Sequence, residues 1–248
     1  FYNQSNIKRV ANGDLGPGMD FFYSKPIMLV GKGYDKKKDL SGAPDAALKQ
    51  AQQIRLWMTS YLCYQDNKFK ENLAREIKSF ILKWAKAKAF MKTRKNNSDS
   101  YCCIQDAVLT MNLDMSDFIT AYLIVTKDFP DNKKNKETIV KWFKNYMKKY
   151  GNRHFKKDSV GQFFNQHAII RDYLNAKIAI LTNNNELFSK SAKRALIVLA
   201  QSTPEGVYPY TAARGQKAMW YSMEMMNDYT HLLEVLRAQG YDLYNYEL

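Results

Sequence analysis

Apolar residues recur at the three-and-four spacing of a helix face along most of the chain. Over 137–150, Ile139, Trp142, Phe143, Tyr146, Met147 and Tyr150 share one face, while Lys141, Lys144, Lys148 and Lys149 fall largely off it. Gly151 follows as a helix stop. The pattern repeats over 67–91, with Leu73, Ile77, Phe80, Ile81, Trp84, Ala87 and Met91 on the inner stripe and Asn67 placed to cap it. Further helices are expected over 44–63, 104–113, 116–126, 161–181, 186–201 and 215–238, with Ser116 opening its helix. The breaks at 93–100, 128–136, 152–159 and 202–210 are short and polar, and none has the composition of a domain linker. Strand alternation is absent. The pattern therefore predicts one all-α domain over 1–248, built of antiparallel helical hairpins. Residues 1–43, rich in Gly, Asn and Lys, show no period and read as irregular structure that could lie over a site.

Composition adds a charge. The 248 residues carry 38 Lys and Arg against 24 Asp and Glu, a formal net charge of +14. A hydrophobic fraction of 46% is ample for a packed core, so the surplus belongs to the surface of a folded protein. It calls for an acidic partner: nucleic acid, an anionic membrane surface or a polyanionic carbohydrate. No run approaches the roughly 20 apolar residues of a membrane span, so a soluble protein is expected. The sequence opens on Phe1 rather than Met, which reads as a trimmed N-terminus. Cys63, Cys102 and Cys103 lack the spacing of a zinc or redox motif; they allow one bridge from Cys63 to one of the adjacent pair, or three buried free thiols.

Familiar catalytic signatures are missing: there is no phosphate-binding G-x-x-x-x-G-K-[ST], no G-x-S-x-G and no H-E-x-x-H. With only His154, His167 and His231 available, a histidine-built metal site is not expected. Two segments carry chemistry instead. One is Asn165-Gln166-His167, followed a helix length later by Leu181-Thr182-Asn183-Asn184 and Leu187-Phe188. The other is Glu205-Gly206-Val207-Tyr208-Pro209 leading into Arg214-Gly215-Gln216-Lys217-Ala218-Met219-Trp220-Tyr221. If Arg214 lies in the first turn of a helix, the seven-residue step puts Tyr221 within about 20° of it on the same face, roughly 10 Å along.

These segments resemble the Asn-Asn-His helix and the Pro…Arg…Ala-x-x-Tyr signature of alginate lyases of the mannuronate lyase type, a resemblance reaching over roughly residues 70–245. It implies an α/α toroid of five or six helical hairpins, a periplasmic or secreted location, a monomer, and a polyuronate lyase that needs no metal or other cofactor. The substrate it implies is an anionic polysaccharide, mannuronate-rich alginate first. The residue chemistry agrees. Eliminating across a uronate requires neutralising its carboxylate, removing the proton on C5 and protonating the O4 leaving group. Arg214 can pair with the carboxylate bidentately and Gln166 can donate an amide N–H to it. His167 titrates near neutrality and Tyr221 offers a phenol, so Tyr221 is assigned as acid, with base duty open between Tyr221 and His167. Asn165, Arg171, Lys217, and Tyr34 with Lys36 from the Lys32–Lys38 run are the expected substrate contacts; Arg171 also fits an ordinary ion pair.

The sequence departs from the family's pattern in several places. Gln166 replaces the second asparagine, Ala168, Ile169 and Ile170 follow His167 where aromatics are usual, and Thr211 and Ser222 stand where Glu and His are expected. These differences open two alternatives, a lyase for polyglucuronate or a glycosaminoglycan, and a carbohydrate-binding protein without catalysis. A nucleic-acid-binding protein, suggested by charge alone, leaves the Arg214 to Tyr221 step unexplained and ranks last. Trp84, Trp142 and Phe143 are expected in the core, and His154 and His231 in structural or exposed roles.

Overall fold

The computed structural model describes residues 42–91, 101–151 and 166–245; the side chains of 42–52, 101–111, 151 and 166–167 are outside that description. Every regular element among the described residues is helical. The chain divides into two compact units, Phe1–Tyr146 and Met147–Leu248.

The first unit contains α1 (Gly42–Cys63), α2 (Asn67–Lys86), α3 (Tyr101–Asp128) and α4 (Lys133–Tyr146). Its core forms because each helix buries one stripe: Ile54, Trp57 and Tyr61 from α1; Leu73, Ile77, Phe80, Ile81 and Trp84 from α2; Phe118, Tyr122 and Val125 from α3; Ile139, Trp142 and Phe143 from α4. Phe118 is the hub, its ring centroid 5.8 Å from Phe80, 4.9 Å from Trp84 and 6.3 Å from Trp142. Two polar links add direction to that apolar packing. The Trp142 indole donates to the Ala89 carbonyl at 2.8 Å, and the Tyr146 hydroxyl donates to Asn112 Oδ1 at 2.8 Å. The aromatic residues expected in the core are there.

Three local expectations change. Asp66, not Asn67, caps α2: its carboxylate accepts the Phe69 N–H at 2.7 Å. Ser116 opens no helix. It is buried inside α3, which runs unbroken where two helices were expected, and its carbonyl accepts from Thr120 Oγ1. No Gly or Pro falls between 101 and 128, so one period of Met115, Phe118, Ile119 and Tyr122 outweighs the capping preference of a lone serine. Cys63 is an exposed free thiol, which removes both the bridge and, for this residue, the buried reading.

The second unit begins with a π-helical turn, Met147–Gly151, so Gly151 closes that turn rather than the α-helix before it. It continues through α5 (Gln166–Thr182), α6 (Asn185–Ala200), the short α7 (Pro209–Ala212), a 3₁₀ turn (Gly215–Lys217) and α8 (Ala218–Arg237). The Asn183-Asn184 pair of the sequence motif is the hinge of the α5–α6 hairpin. Asn183 adopts φ +51°, which asparagine tolerates, and the Asn184 side chain accepts the Leu187 N–H at 3.0 Å. Both α5 and α6 pack against α8. Ile169 and Ala176 of α5, Ala195 and Val198 of α6, and Met225, Tyr229, Leu232 and Leu236 of α8 form one buried cluster. The Tyr229 hydroxyl donates to the Ala195 carbonyl at 2.9 Å and fixes α8 to α6.

Asp66→Ala should lower stability by about 1 kcal/mol in urea denaturation followed by helical circular dichroism, whereas Asp66→Asn should stay close to the parent.

Candidate active site

Arg214 and Tyr221 meet, but by a different route from the one expected. Arg214 does not lie in a helix. Its N–H donates to the Thr211 carbonyl at 3.1 Å at the end of α7, and Gly215 then turns the chain with φ +62°, a conformation open to glycine at little cost. The 3₁₀ turn follows, and α8 starts three residues before Tyr221. The guanidinium carbon comes to rest 4.1 Å from the centroid of the Tyr221 ring. Arg214 and Lys217 are exposed and Tyr221 is half-buried.

Neighbouring groups hold this arrangement. Thr211, fully buried, bonds the Tyr208 carbonyl at 3.0 Å and shares a 2.8 Å hydroxyl contact with Ser222. The two positions that depart from the family pattern are thus partners, and they tie α7 to the first turns of α8 on either side of Arg214. The Trp220 ring lies 4.9 Å from that of Tyr221. Together these place a bidentate carboxylate binder against a phenol that can exchange a proton, at the solvent edge of a buried helix: acid–base chemistry on an anionic substrate.

Gln166 and His167 are the first two residues of α5, on a helix that packs against α8; the described side chains of α5 begin at Ala168. Asn165, Tyr34 and Lys36 lie outside the described residues, as does His154. Lys217 ends the 3₁₀ turn and precedes α8. Arg171 is corrected. Its side chain is 1% exposed, with Nη2 3.2 Å from Asp172 Oδ2, and the same carboxylate oxygen lies 3.1 Å from Arg194 Nε. A guanidinium this deeply buried against a carboxylate that Arg194 also holds fits a structural ion-pair network. His231 stacks on Tyr173 at 5.5 Å, as a structural residue would.

One group was missed. Asp228 is buried, with no hydrogen-bond partner for Oδ2 among the described residues. It follows Tyr221 by seven residues on α8, the same step as from Arg214 to Tyr221, and that spacing was the available signal. Burial, reinforced by the charge of Glu224 and opposed by a hydrogen bond from Asn227, pushes its carboxyl up to about 7. Burial also raises Glu224.

A family model described as alginate lyase matches residues 34–248. Among solved structures, alginate lyase A1-III from Sphingomonas species A1 superposes with a TM-score of 0.65 at 16% identity, covering 82% of this chain and 55% of that one. Two variants of alginate lyase A1-III complexed with tetrasaccharide are similar to the same degree. A tyrosine-to-phenylalanine form gives a TM-score of 0.64 at 16% identity, over 82% of this chain and 55% of that one. A histidine-to-alanine form gives 0.65 at 16%, over 82% and 57%. The chain spans a little over half the length of these proteins, and the likeness is one of fold, in agreement with the all-α expectation. No match was found among curated protein sequences.

The Asp228 carboxyl gives a pH prediction. Its folded-state affinity for a proton exceeds that of the unfolded chain, so it favours folding below about pH 4 and that advantage is lost as pH rises to about 7. Thermal melts of the parent and Asp228→Asn should therefore diverge across this interval, the variant gaining relative stability until the difference levels off above neutrality.

Proposed function

The chain belongs to the alginate lyase family, and from that membership we propose that it is a polyuronate lyase that breaks 1,4-glycosidic bonds by β-elimination, with mannuronate-rich alginate as substrate. The observation that carries this reading is the Arg214 guanidinium stacked on Tyr221 within the matched region. A further support is an interval. The histidine and tyrosine replaced in the two tetrasaccharide complexes of alginate lyase A1-III are 54 positions apart, the same separation as His167 and Tyr221 in this chain.

The proposed chemistry follows from the substrate. The C5 hydrogen of a uronate is acidic through its carboxylate, but the negative charge of that group opposes a second one developing beside it. Arg214 neutralises the carboxylate through paired N–H bonds, and the Gln166 amide donates to the same group. The C5–H bond breaks, its electron pair forms the C4–C5 double bond, the C4–O4 bond breaks, and O4 takes a proton. Water is not consumed, and the new non-reducing end is a 4,5-unsaturated sugar. In mannuronate the departing hydrogen and O4 lie on the same face, so the Tyr221 phenol can serve as base and then acid, with His167 positioning or neutralising. In guluronate they lie on opposite faces and His167 becomes the base. A periplasmic or secreted monomer goes with this reading.

A second reading keeps the reaction and changes the sugar. Thr211 and Ser222, in place of the expected Glu and His, form a neutral hydroxyl pair beside Arg214 and Tyr221. Losing those groups from the site favours a differently substituted uronate, such as polyglucuronate or a glycosaminoglycan.

Incubation with alginate, polyglucuronate and hyaluronan should raise the ultraviolet absorbance of the conjugated double bond for at least one polymer; no rise with any of them would remove the lyase reading. Tyr221→Phe and His167→Ala should each lower turnover by about 10²-fold or more with the helical circular dichroism unchanged.

A further inference from the structure

Helix α8 is buried at its C-terminal end and bare at its start. Met219, Trp220 and Met223 are 77%, 59% and 63% exposed, and Met226 continues the stripe. The chain has four tryptophans, and Trp57, Trp84 and Trp142 are core residues no more than 3% exposed. Trp220 alone among them presents its indole to solvent. A large aromatic surface left in water beside two flexible thioether side chains is the mark of a surface that something covers.

Its surroundings identify the class of ligand. On one side is the Tyr221 ring, 4.9 Å between centroids at an interplanar angle of 58°. The Arg214 guanidinium lies over that same Tyr221 ring, and Lys217, also exposed, immediately precedes α8. An apolar plate whose neighbouring ring carries a cation suits a ligand with an apolar face and an anionic edge. A pyranose ring bearing a carboxylate has both: its axial C–H groups make one flat apolar face, and its carboxylate projects from the ring edge. A protein interface would also cover apolar surface, but it offers no reason for a guanidinium to lie over the Tyr221 ring that adjoins the indole.

We infer that Trp220, supported by Met219 and Met223, is a stacking platform for the uronate residue next to the one at Tyr221, and so a determinant of substrate binding. The inference rests on the polyuronate-lyase reading for the identity of the polymer, and it adds a binding residue with no part in proton transfer. The indole supplies apolar contact equally to ground state and transition state, so its loss acts on KM and leaves kcat nearly unchanged.

Two measurements test it. In the first, acrylamide quenching of tryptophan emission is followed in the Tyr221→Phe protein, which keeps the neighbouring ring, as mannuronate tetrasaccharide is added. Trp220 contributes the exposed emission, so saturation should remove most of the quenchable fraction. In the second, Trp220→Ala should raise KM for alginate by about tenfold with kcat within about threefold, and Trp220→Phe should recover most of the loss. An unchanged KM in Trp220→Ala, in an enzyme that does release unsaturated ends, overturns the platform and leaves the lyase reading standing. Should the parent release no such ends, the lyase reading falls, and the quenching titration still decides whether a uronate covers the indole. Emission equally quenchable with and without tetrasaccharide overturns the platform, as does a change confined to oligomeric state.

Discussion

The hydrogen bond from the Tyr229 hydroxyl to the Ala195 carbonyl, set in the apolar cluster of Met225, Leu232 and Leu236 against Ile169 and Ala176, is the constraint on which the candidate site depends. It fixes the last turns of α8 in the core of the second unit, so the first turns can remain exposed without the helix losing its place. Helices in proteins draw most of their stability from tertiary packing, and burial of the far end of this one lets the near end carry reactive groups. The Thr211–Ser222 contact then ties the preceding turn to α8, and the φ +62° of Gly215 lets the chain double back so that Arg214 lies on Tyr221.

The helices were legible because burial on one face leaves a periodic trace, and Trp84, Trp142 and Phe143 are core residues as that trace requires. Misreadings came where local and tertiary preferences conflict. Ser116 has the character of a cap, yet the apolar stripe of α3 runs through it. Asn183 and Asn184 read as part of a functional motif and act as the hinge and cap of a hairpin. Arg171, read as either a substrate contact or an ion pair, is found in an ion pair with Asp172.

The site was legible in part for a related reason. A seven-residue step from Arg214 to Tyr221 says that two side chains can meet, and they do, at 4.1 Å, but through a turn and a 3₁₀ segment rather than along one helix. Periodicity does not record which apolar residues stay exposed, so Trp220 was indistinguishable in sequence from the buried tryptophans. Nor does it show which carboxylates are desolvated: the seven-residue step from Tyr221 marks Asp228, and its burial appears only in the structure. The surplus of +14 has a corresponding local meaning. Among the described residues, Arg214 over Tyr221 and the exposed Lys217 just before α8 belong to it, and such cations suit a polymer with one carboxylate per sugar.

The central claim is that glycosidic bonds are broken by elimination, with carboxylate neutralisation and proton transfer at Arg214 and Tyr221, and without water as a reactant. Digestion of alginate in heavy-oxygen water, followed by mass spectrometry of the oligosaccharides, tests it most directly. The account predicts products lighter by one water than hydrolysis would give, with no heavy oxygen incorporated at the moment of cleavage. Products carrying one heavy oxygen per bond broken, at the full mass of hydrolysis, would contradict it.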